Sequence, residues 1–478
     1  MGDDAGKATR IELLSFAAPH MRTFHMTWLA FFLCFSSWFA IAPLMPVVRA
    51  EFGLDKAQMG RLVVASVAST IFARLLVGWL CDRFGPRRCY SGLLVLGALP
   101  IMGVGLARDY ETFLLFRLLI GAVGASFVIT QYHTSRMFAA NCVGTANATT
   151  AGWGNMGGGA AQICMPLVFS AFMAMGWTAA WSWRLAMIVP GVLMLIAGVA
   201  YWRLTQDSPD GDARQVHAKR KVPFSQFERP RGLKPAARGL RFSVDLFSPR
   251  DAAGSDARRA SGAFRSACSD RRVWALAAIY GACFGIEITI HNTASLYFVD
   301  HFSLGVAQAG LVVGGFGMLA IFARTLGGLL SDRAARMSGL RGRALLLGVA
   351  LVAEGLLLVT FASCSTLPMA VGTLLVFGLL VHISCGATYA LVPFVKPNAV
   401  GSVAGIVGAG GNLGAVLSGF LFGIQSLSLP GTFLLLGVGV VLASSASVLL
   451  RFPVTRDAAA GAIAEDSEVV TDALPAVV

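Results

Sequence analysis

The chain reads as an all-α integral membrane protein of about 12 transmembrane helices arranged as two six-helix halves, on three observations. Its 478 residues are 56% hydrophobic and only 13% charged, against about a quarter charged in soluble proteins. Apolar stretches such as 29–46, 344–361 and 433–450 approach the ~20 residues that cross a ~30 Å hydrocarbon core. In lipid every backbone polar group must be satisfied within its own segment, which makes these stretches helices. Finally, a motif recurs on either side of a polar central segment.

In chain order, helices are expected at about 24–48, 58–81, 88–107, 111–137, 145–175 and 182–205, then 272–298, 305–332, 342–362, 367–393, 400–425 and 430–452. The first apolar run begins near Phe24 and continues into a full span, so no cleavable signal peptide is expected. The chain thus divides into an N-terminal segment 1–23, a first half 24–205, a linker 206–271, a second half 272–452 and a tail 453–478. The linker is rich in Pro, Gly, Ser, Arg and Asp and lacks an apolar helical face, as a solvated connector does. Within the tail, 457–478 is acidic and rich in small residues, and is expected to be disordered.

A net charge of +13 could suggest nucleic acid, but its distribution does not. Arg83, Arg87 and Arg88 follow helix 2, Arg136 ends helix 4, and Arg333, Arg336, Arg341 and Arg343 lie between helices 8 and 9. The opposite loops 299–308 and 363–367 contain neither Lys nor Arg. This positive-inside pattern places both termini and the linker in the cytoplasm of a multi-pass protein of the plasma or bacterial inner membrane. The nine cysteines lie mostly within apolar runs and lack metal-ligand spacing, so they read as packing residues and no metal is expected. No nucleophile constellation or nucleotide loop is found, so an enzyme is not expected and no cofactor is implied.

The repeat carries the chemistry. Ile71-Phe72-Ala73-Arg74 in helix 2 returns as Ile321-Phe322-Ala323-Arg324 in helix 8, an offset of 250 residues, and each arginine is followed at equal distance by Asp82-Arg83 or Asp332-Arg333. The run Ala151–Gly159 in helix 5, containing Gly154 and Asn155, is echoed by Gly408–Gly414 in helix 11, containing Gly411 and Asn412. Paired halves with a site between them near the bilayer midplane are a common plan of secondary transporters.

Arg74 stands eight residues before Asp82, about 12 Å along the helix. Arg324 stands equally deep, and each guanidinium costs roughly 2.5–3.5 kcal/mol at such depth on insertion scales. The bland explanation is pairing with a buried carboxylate, for which Glu287 and Glu354 are the candidates. The sharper one is a central cavity in which two guanidinium forks face one small oxyanion, whose planar oxygens match parallel N–H donors. The Gly-Asn runs read either as close helix packing or as backbone brought near a ligand, with the asparagine amides as donors; both can hold.

These motifs make the sequence resemble the nitrate/nitrite porter family of the major facilitator superfamily, closest to its plant and fungal high-affinity nitrate transporter branch. The resemblance rests on Phe24–Trp28 with Ala42–Leu44, Arg74, Gln131–Ser135 with Met137-Phe138, the two Gly-Asn runs, and Gly78-x-x-x-Asp82-Arg83-x-Gly85-x-Arg87-Arg88. It implies that Arg74 and Arg324 clamp nitrate or nitrite, with Asn155, Asn412, Gly154 and Gly411 nearby and Tyr280 in contact. Arg117, in Arg117-x-x-x-Gly121, resembles a superfamily motif expected to brace the cytoplasmic gate. Asp82, Arg83, Asp332 and Arg333 read as structural or gating residues.

Glu287, two turns beyond Tyr280, is the leading proton-carrier candidate, with a static arginine salt bridge as its alternative. Glu354 ranks lower because helix 9 is peripheral in this fold, and His133 and His382 are weaker candidates. The expectation is therefore proton-coupled uptake of nitrate or nitrite by alternating access, by a monomer in the lipid bilayer. Nitrate/nitrite exchange without proton coupling is one alternative, and a nitrate receptor signalling through the linker is another.

Overall fold

The computed structural model describes residues 6–139, 142–209, 211, 264–396 and 399–452. Most of the linker, 212–263, and the whole tail, 453–478, lie outside the described residues. Eleven described stretches are long and apolar enough to cross a membrane, and one of them, Val306–Ala362, runs for 57 residues. It bends at Ser338 and at Gly339, whose φ of 61° and ψ of −150° suit glycine alone. This stretch is two spans, giving α1 (Pro19–Phe52), α2 (Lys56–Phe84), α3 (Pro86–Leu106), α4 (Tyr110–Met137), α5 (Val143–Ala174), α6 (Ala179–Leu204), α7 (Arg271–Phe302), α8 (306–337), α9 (340–362), α10 (Leu367–Val395), α11 (Val400–Phe422) and α12 (Leu429–Leu449). The expected helix order therefore holds.

Departures from the expected boundaries have local causes. α1 passes through a 3-10 turn at Ala42–Leu44, where Pro43 and Pro46 remove backbone donors. α4 tightens to 3-10 at Ala122–Ala125; a Cβ on Gly124 would lie 2.7 Å from the Trp38 ring, so its bare backbone seats that indole. α8 runs five residues past the expected end at 332, as far as Met337 before the Ser338–Gly339 break.

Burial separates central from peripheral helices. The most apolar window of α1 is 78% buried and that of α7 is 83%, against 33–50% for the others. The outward faces carry exposed Phe72, Leu75, Leu76, Leu96, Leu345 and Leu442, an apolar girdle that suits lipid and not water.

The halves meet most tightly at the face opposite the basic loops. Arg49 at the end of α1 makes two parallel bonds to the Asp300 carboxylate at the end of α7, at 2.6 and 2.7 Å. α2 and α11 touch backbone to backbone there, since a Cβ on Gly60 would lie 2.4 Å from Gly423 Cα. α5 and α8 cross similarly, where a Cβ on Gly317 would lie 2.5 Å from Gly159 Cα. Gln162 on α5 donates to the His291 carbonyl (2.6 Å) and accepts from Ser295 (2.7 Å), both on α7.

Arg117 belongs to this group, which corrects the sequence expectation. It lies seven residues into α4 from the end remote from Asp82, is 2% exposed, and donates to Asn292 Oδ1 on α7 at 2.8 Å. It therefore ties the halves together on the far side of the bundle and cannot brace the face of the basic loops. On that basic face, residue 8 is pinned to the α4–α5 connection by two backbone bonds. There Asp207 accepts from the Arg87 backbone N–H at 3.0 Å.

Candidate functional site

A narrow cavity of about 10 Å³ lies between the halves, lined from α1 by Phe31 and Phe35, from α2 by Arg74, from α4 by Gly124 and Phe127, from α5 by Asn155, and from α7 by Tyr280 and Phe284. Its walls are mostly aromatic, and among the described residues the single cation lining it is Arg74. Arg74 reaches across to the second half, where its Nη1 donates to the Gly408 carbonyl at 2.9 Å. Its guanidinium lies 5.7 Å from the Phe127 ring centroid, and its buried Nε has no partner. A Cβ on Gly408 would approach Arg74 Nη1 to 3.1 Å, so a glycine here lets the guanidinium lie close to the helix.

Arg324 sits at the matching position of the second half, in a different environment. Its Nη2 donates to Glu287 Oε2 at 2.5 Å, a pair only 9% and 0% exposed. Its guanidinium lies 5.6 Å from the Phe284 centroid. The bland explanation for a deep arginine thus applies to Arg324 and not to Arg74. Glu287 Oε2 also receives the Cys385 thiol at 3.6 Å and faces His382 Nδ1 at 3.6 Å, while His382 Nε2 lies 3.3 Å from the Phe316 carbonyl oxygen.

The Gly-Asn runs serve the cavity in two ways. A Cβ on Gly154 would lie 1.9 Å from Phe31, and one on Gly411 would lie 2.7 Å from both Tyr280 and Phe284. These glycines therefore seat the aromatic walls, and the rings cover their backbone. Asn155 lines the cavity; its Nδ2 donates to the Ala151 carbonyl at 2.8 Å and its buried Oδ1 has no partner. Asn412 is wholly buried with neither amide atom partnered. Tyr280 stacks on Phe284 at 4.9 Å and meets Tyr389 edge-on at 5.0 Å.

Of the other sequence candidates, Asp332 pairs with Arg343 at 2.6 Å, within the second half. Arg83 lies over Trp79 and Phe84 of its own helix, and Arg333 is exposed. The Asp82 side chain is outside the described residues. His133 is held between the Tyr201 hydroxyl (2.5 Å) and the Gln206 carbonyl (2.8 Å), away from the cavity lining. Sequence reasoning missed Phe31, Phe35, Phe127 and Phe284. Aromatic residues fill membrane helices for packing alone, so no spacing in the chain marks these as walls.

Two six-helix halves around a cation-bearing cavity define a polytopic membrane carrier. The sequence profile of the Major Facilitator Superfamily matches residues 27–419. The chain is 36% identical over 452 residues to "High affinity nitrate transporter 2.5" of Arabidopsis thaliana, covering 94% of this chain and 84% of that protein. It is 32% identical to "Nitrate transporter 2.2" of Chlamydomonas reinhardtii (94% and 83% covered). It is 29% identical to "Nitrate/nitrite transporter NrtP" of Nostoc punctiforme (90% and 92% covered). The chain therefore belongs to the major facilitator superfamily and, within it, to the nitrate/nitrite porter family. Among solved structures, a bacterial homologue of the human lysosomal transporter Spinster, inward-facing and unoccupied, superposes with a TM-score of 0.65 at 16% identity, covering 92% of this chain and 100% of that one. That likeness concerns the fold.

Proposed function

We propose that the chain is a secondary transporter of nitrate, nitrite or both, working by alternating access of its two halves around the aromatic cavity, with both termini on the cytoplasmic side. The observation that carries this reading is Arg74, a deep guanidinium that has no carboxylate partner among the described residues and lines a cavity between the halves. Such a cation is offset most readily by a small anion that brings its own charge. A planar oxyanion accepts parallel N–H bonds from the guanidinium fork, and aromatic walls exclude water, which strengthens those bonds. The names of the relatives supply nitrate and nitrite as the anions.

The Arg324–Glu287 pair gives this reading a coupling step. Empty, the three charges of Arg74, Arg324 and Glu287 leave one net positive. An anion that engages both arginines displaces Glu287 from Arg324 and would leave a carboxylate buried without its cation, a costly arrangement. A proton on Glu287, passed from His382 at 3.6 Å, removes that cost. The site loaded with anion and proton then carries the same net charge as the empty one. Anion and proton binding thereby favour each other, as symport requires.

The test is nitrate uptake by purified protein in proteoliposomes, with folding checked by thermal unfolding. Arg74→Lys and Arg324→Lys should each lower uptake by about tenfold or more, a loss of ~1.4 kcal/mol. Wild-type flux in both variants would overturn the anion site. Glu287→Gln should abolish uptake driven by a pH gradient; if that drive survives, Glu287 is not the coupling group.

A further inference from the structure

Glu354 is a carboxylic acid that the transport reading leaves without a task. It lies on α9, is 0% exposed, and among the described residues neither of its oxygens meets a donor in full hydrogen-bond geometry. A peripheral helix would be expected to carry any polar residue near its ends, yet this one lies at mid-span and points inward. The groups that bear on it are Cys283 and Glu287 of α7 and Ser384 of α10, whose hydroxyl is placed to donate to it. α12 offers no charge at this level: a Cβ on the adjacent Gly355 would meet the Gly437 carbonyl and Val441 at 2.7 Å. The other titratable groups of this region, His382 and Cys385 of α10 and His291 of α7, gather around Glu287. The nearby cation, Arg324, is engaged by Glu287.

An ionised carboxylate without a cation, and with one hydroxyl at most to donate to it, is a costly way to bury this side chain, and the neutral acid avoids that cost. Membrane-embedded carboxyls of this kind are the usual stations of proton relays. Charge supplies the need for a second one. A monovalent anion moving with one proton is electroneutral and gains nothing from an inside-negative potential, whereas two protons let that potential drive uptake.

We propose that Glu354 is a second proton-binding site, filled in the conformation seen here and emptied when the halves rock and water reaches it, so that Glu287 and Glu354 together bring two protons with each anion. This rests on the proton-coupled reading of Glu287. The proton moves as such: it leaves the Glu354 carboxyl for water and returns from water on the opposite side, with no other bond made or broken.

The experiment sets a nitrate gradient against imposed pH and voltage gradients in proteoliposomes and reads the protons carried per nitrate from the null point. The wild type should carry two. Glu354→Gln should carry one and lose its dependence on voltage, while Glu354→Asp, which keeps an acid, should still carry two. A wild type that carries none overturns proton coupling altogether, and this proposal with it. A wild type that carries two, with Glu354→Gln unchanged, overturns the Glu354 site alone, as does a wild type that carries one. Should Glu354→Gln fail to fold, infrared difference spectra of the wild type should contain the carbonyl band of a buried neutral acid that shifts in Glu354→Asp. Absence of that band overturns the proposal.

Discussion

Arg74 and Arg324 occupy equivalent places in the two repeats, but their partners differ. Arg74 has a backbone carbonyl and a cavity, whereas Arg324 has a carboxylate at 2.5 Å. At this scale Gly408 is the sharpest probe. Its missing Cβ would lie 3.1 Å from Arg74 Nη1 and 3.4 Å from the Tyr389 hydroxyl, so Gly408→Ala pushes the end of a long side chain by a few tenths of an ångström. We expect the KM for nitrate to rise by roughly threefold to tenfold with little loss of folded protein, read from concentration-dependent uptake. Gly154→Ala should behave differently, because its Cβ would fall 1.9 Å from Phe31 within a packed wall. Overpacking of that kind costs about 1–3 kcal/mol, and it should appear as a lowered unfolding temperature in detergent.

At the scale of elements, the helices are set by lipid and by a few terminal residues. α7, the most buried span, starts at Asp270, whose carboxylate accepts from the Arg272 backbone N–H at 2.9 Å and from its guanidinium at 2.7 and 3.0 Å. The Arg272 side chain holds the Asp270 carboxyl below the usual carboxylate range. A carboxyl lowered in the folded state contributes stability above its unfolded pKa and loses it as pH falls through the folded value. Asp270→Asn keeps a capping oxygen but loses the charge paired with Arg272, so it should lower thermal stability at neutral pH by about 0.2–1 kcal/mol. The gap from wild type should close as the medium is acidified below about pH 4. An undiminished gap in strong acid would contradict the assignment. The α8–α9 break belongs to the same scale: Gly339 has φ 61°, so Gly339→Ala should destabilise by about 1–2 kcal/mol.

For the whole molecule, the contacts between halves concentrate on the face opposite the basic loops. They include the Arg49–Asp300 fork, the Arg117–Asn292 bond and the Gly60–Gly423 crossing, with the Gly159–Gly317 crossing and the Gln162 bonds nearer mid-span. Under the alternating-access mechanism proposed above, these contacts must part in each cycle. Arg49 and Asp300 are 35% and 26% exposed, so their bridge is worth about 0.2–1 kcal/mol, strong enough to bias the closed face and weak enough to open. Cysteines at both positions, joined by a bifunctional thiol reagent, should stop nitrate uptake, while the reagent leaves either single substitution active. Uptake persisting in the joined protein would mean that this face does not open during transport.

How far the sequence reached can be judged residue by residue. Twelve spans were legible because lipid leaves a chain no alternative to apolar helices, and the 250-residue repeat exposed the paired halves. The depth of Arg74 and Arg324 was legible from their spacing to Asp82 and Asp332, and the carboxylate candidates for pairing were named. Which arginine takes Glu287, and which is left to the cavity, could not be read. The two arginine motifs are identical in sequence, and their difference arises from what α7 and α11 present to them. The same limit put Arg117 at the wrong face, since a motif fixes a residue type and only packing fixes its partner. It hid the aromatic walls, because phenylalanine in lipid looks alike on every side of a helix. It also left open which way Glu354 faces, because helix number says nothing about the direction of a side chain. The sequence by itself determined the membrane class, the two-fold plan and the chemical identity of the charges. The tertiary structure alone decided which charges meet, because pairing across helices depends on distances between segments that are remote along the chain.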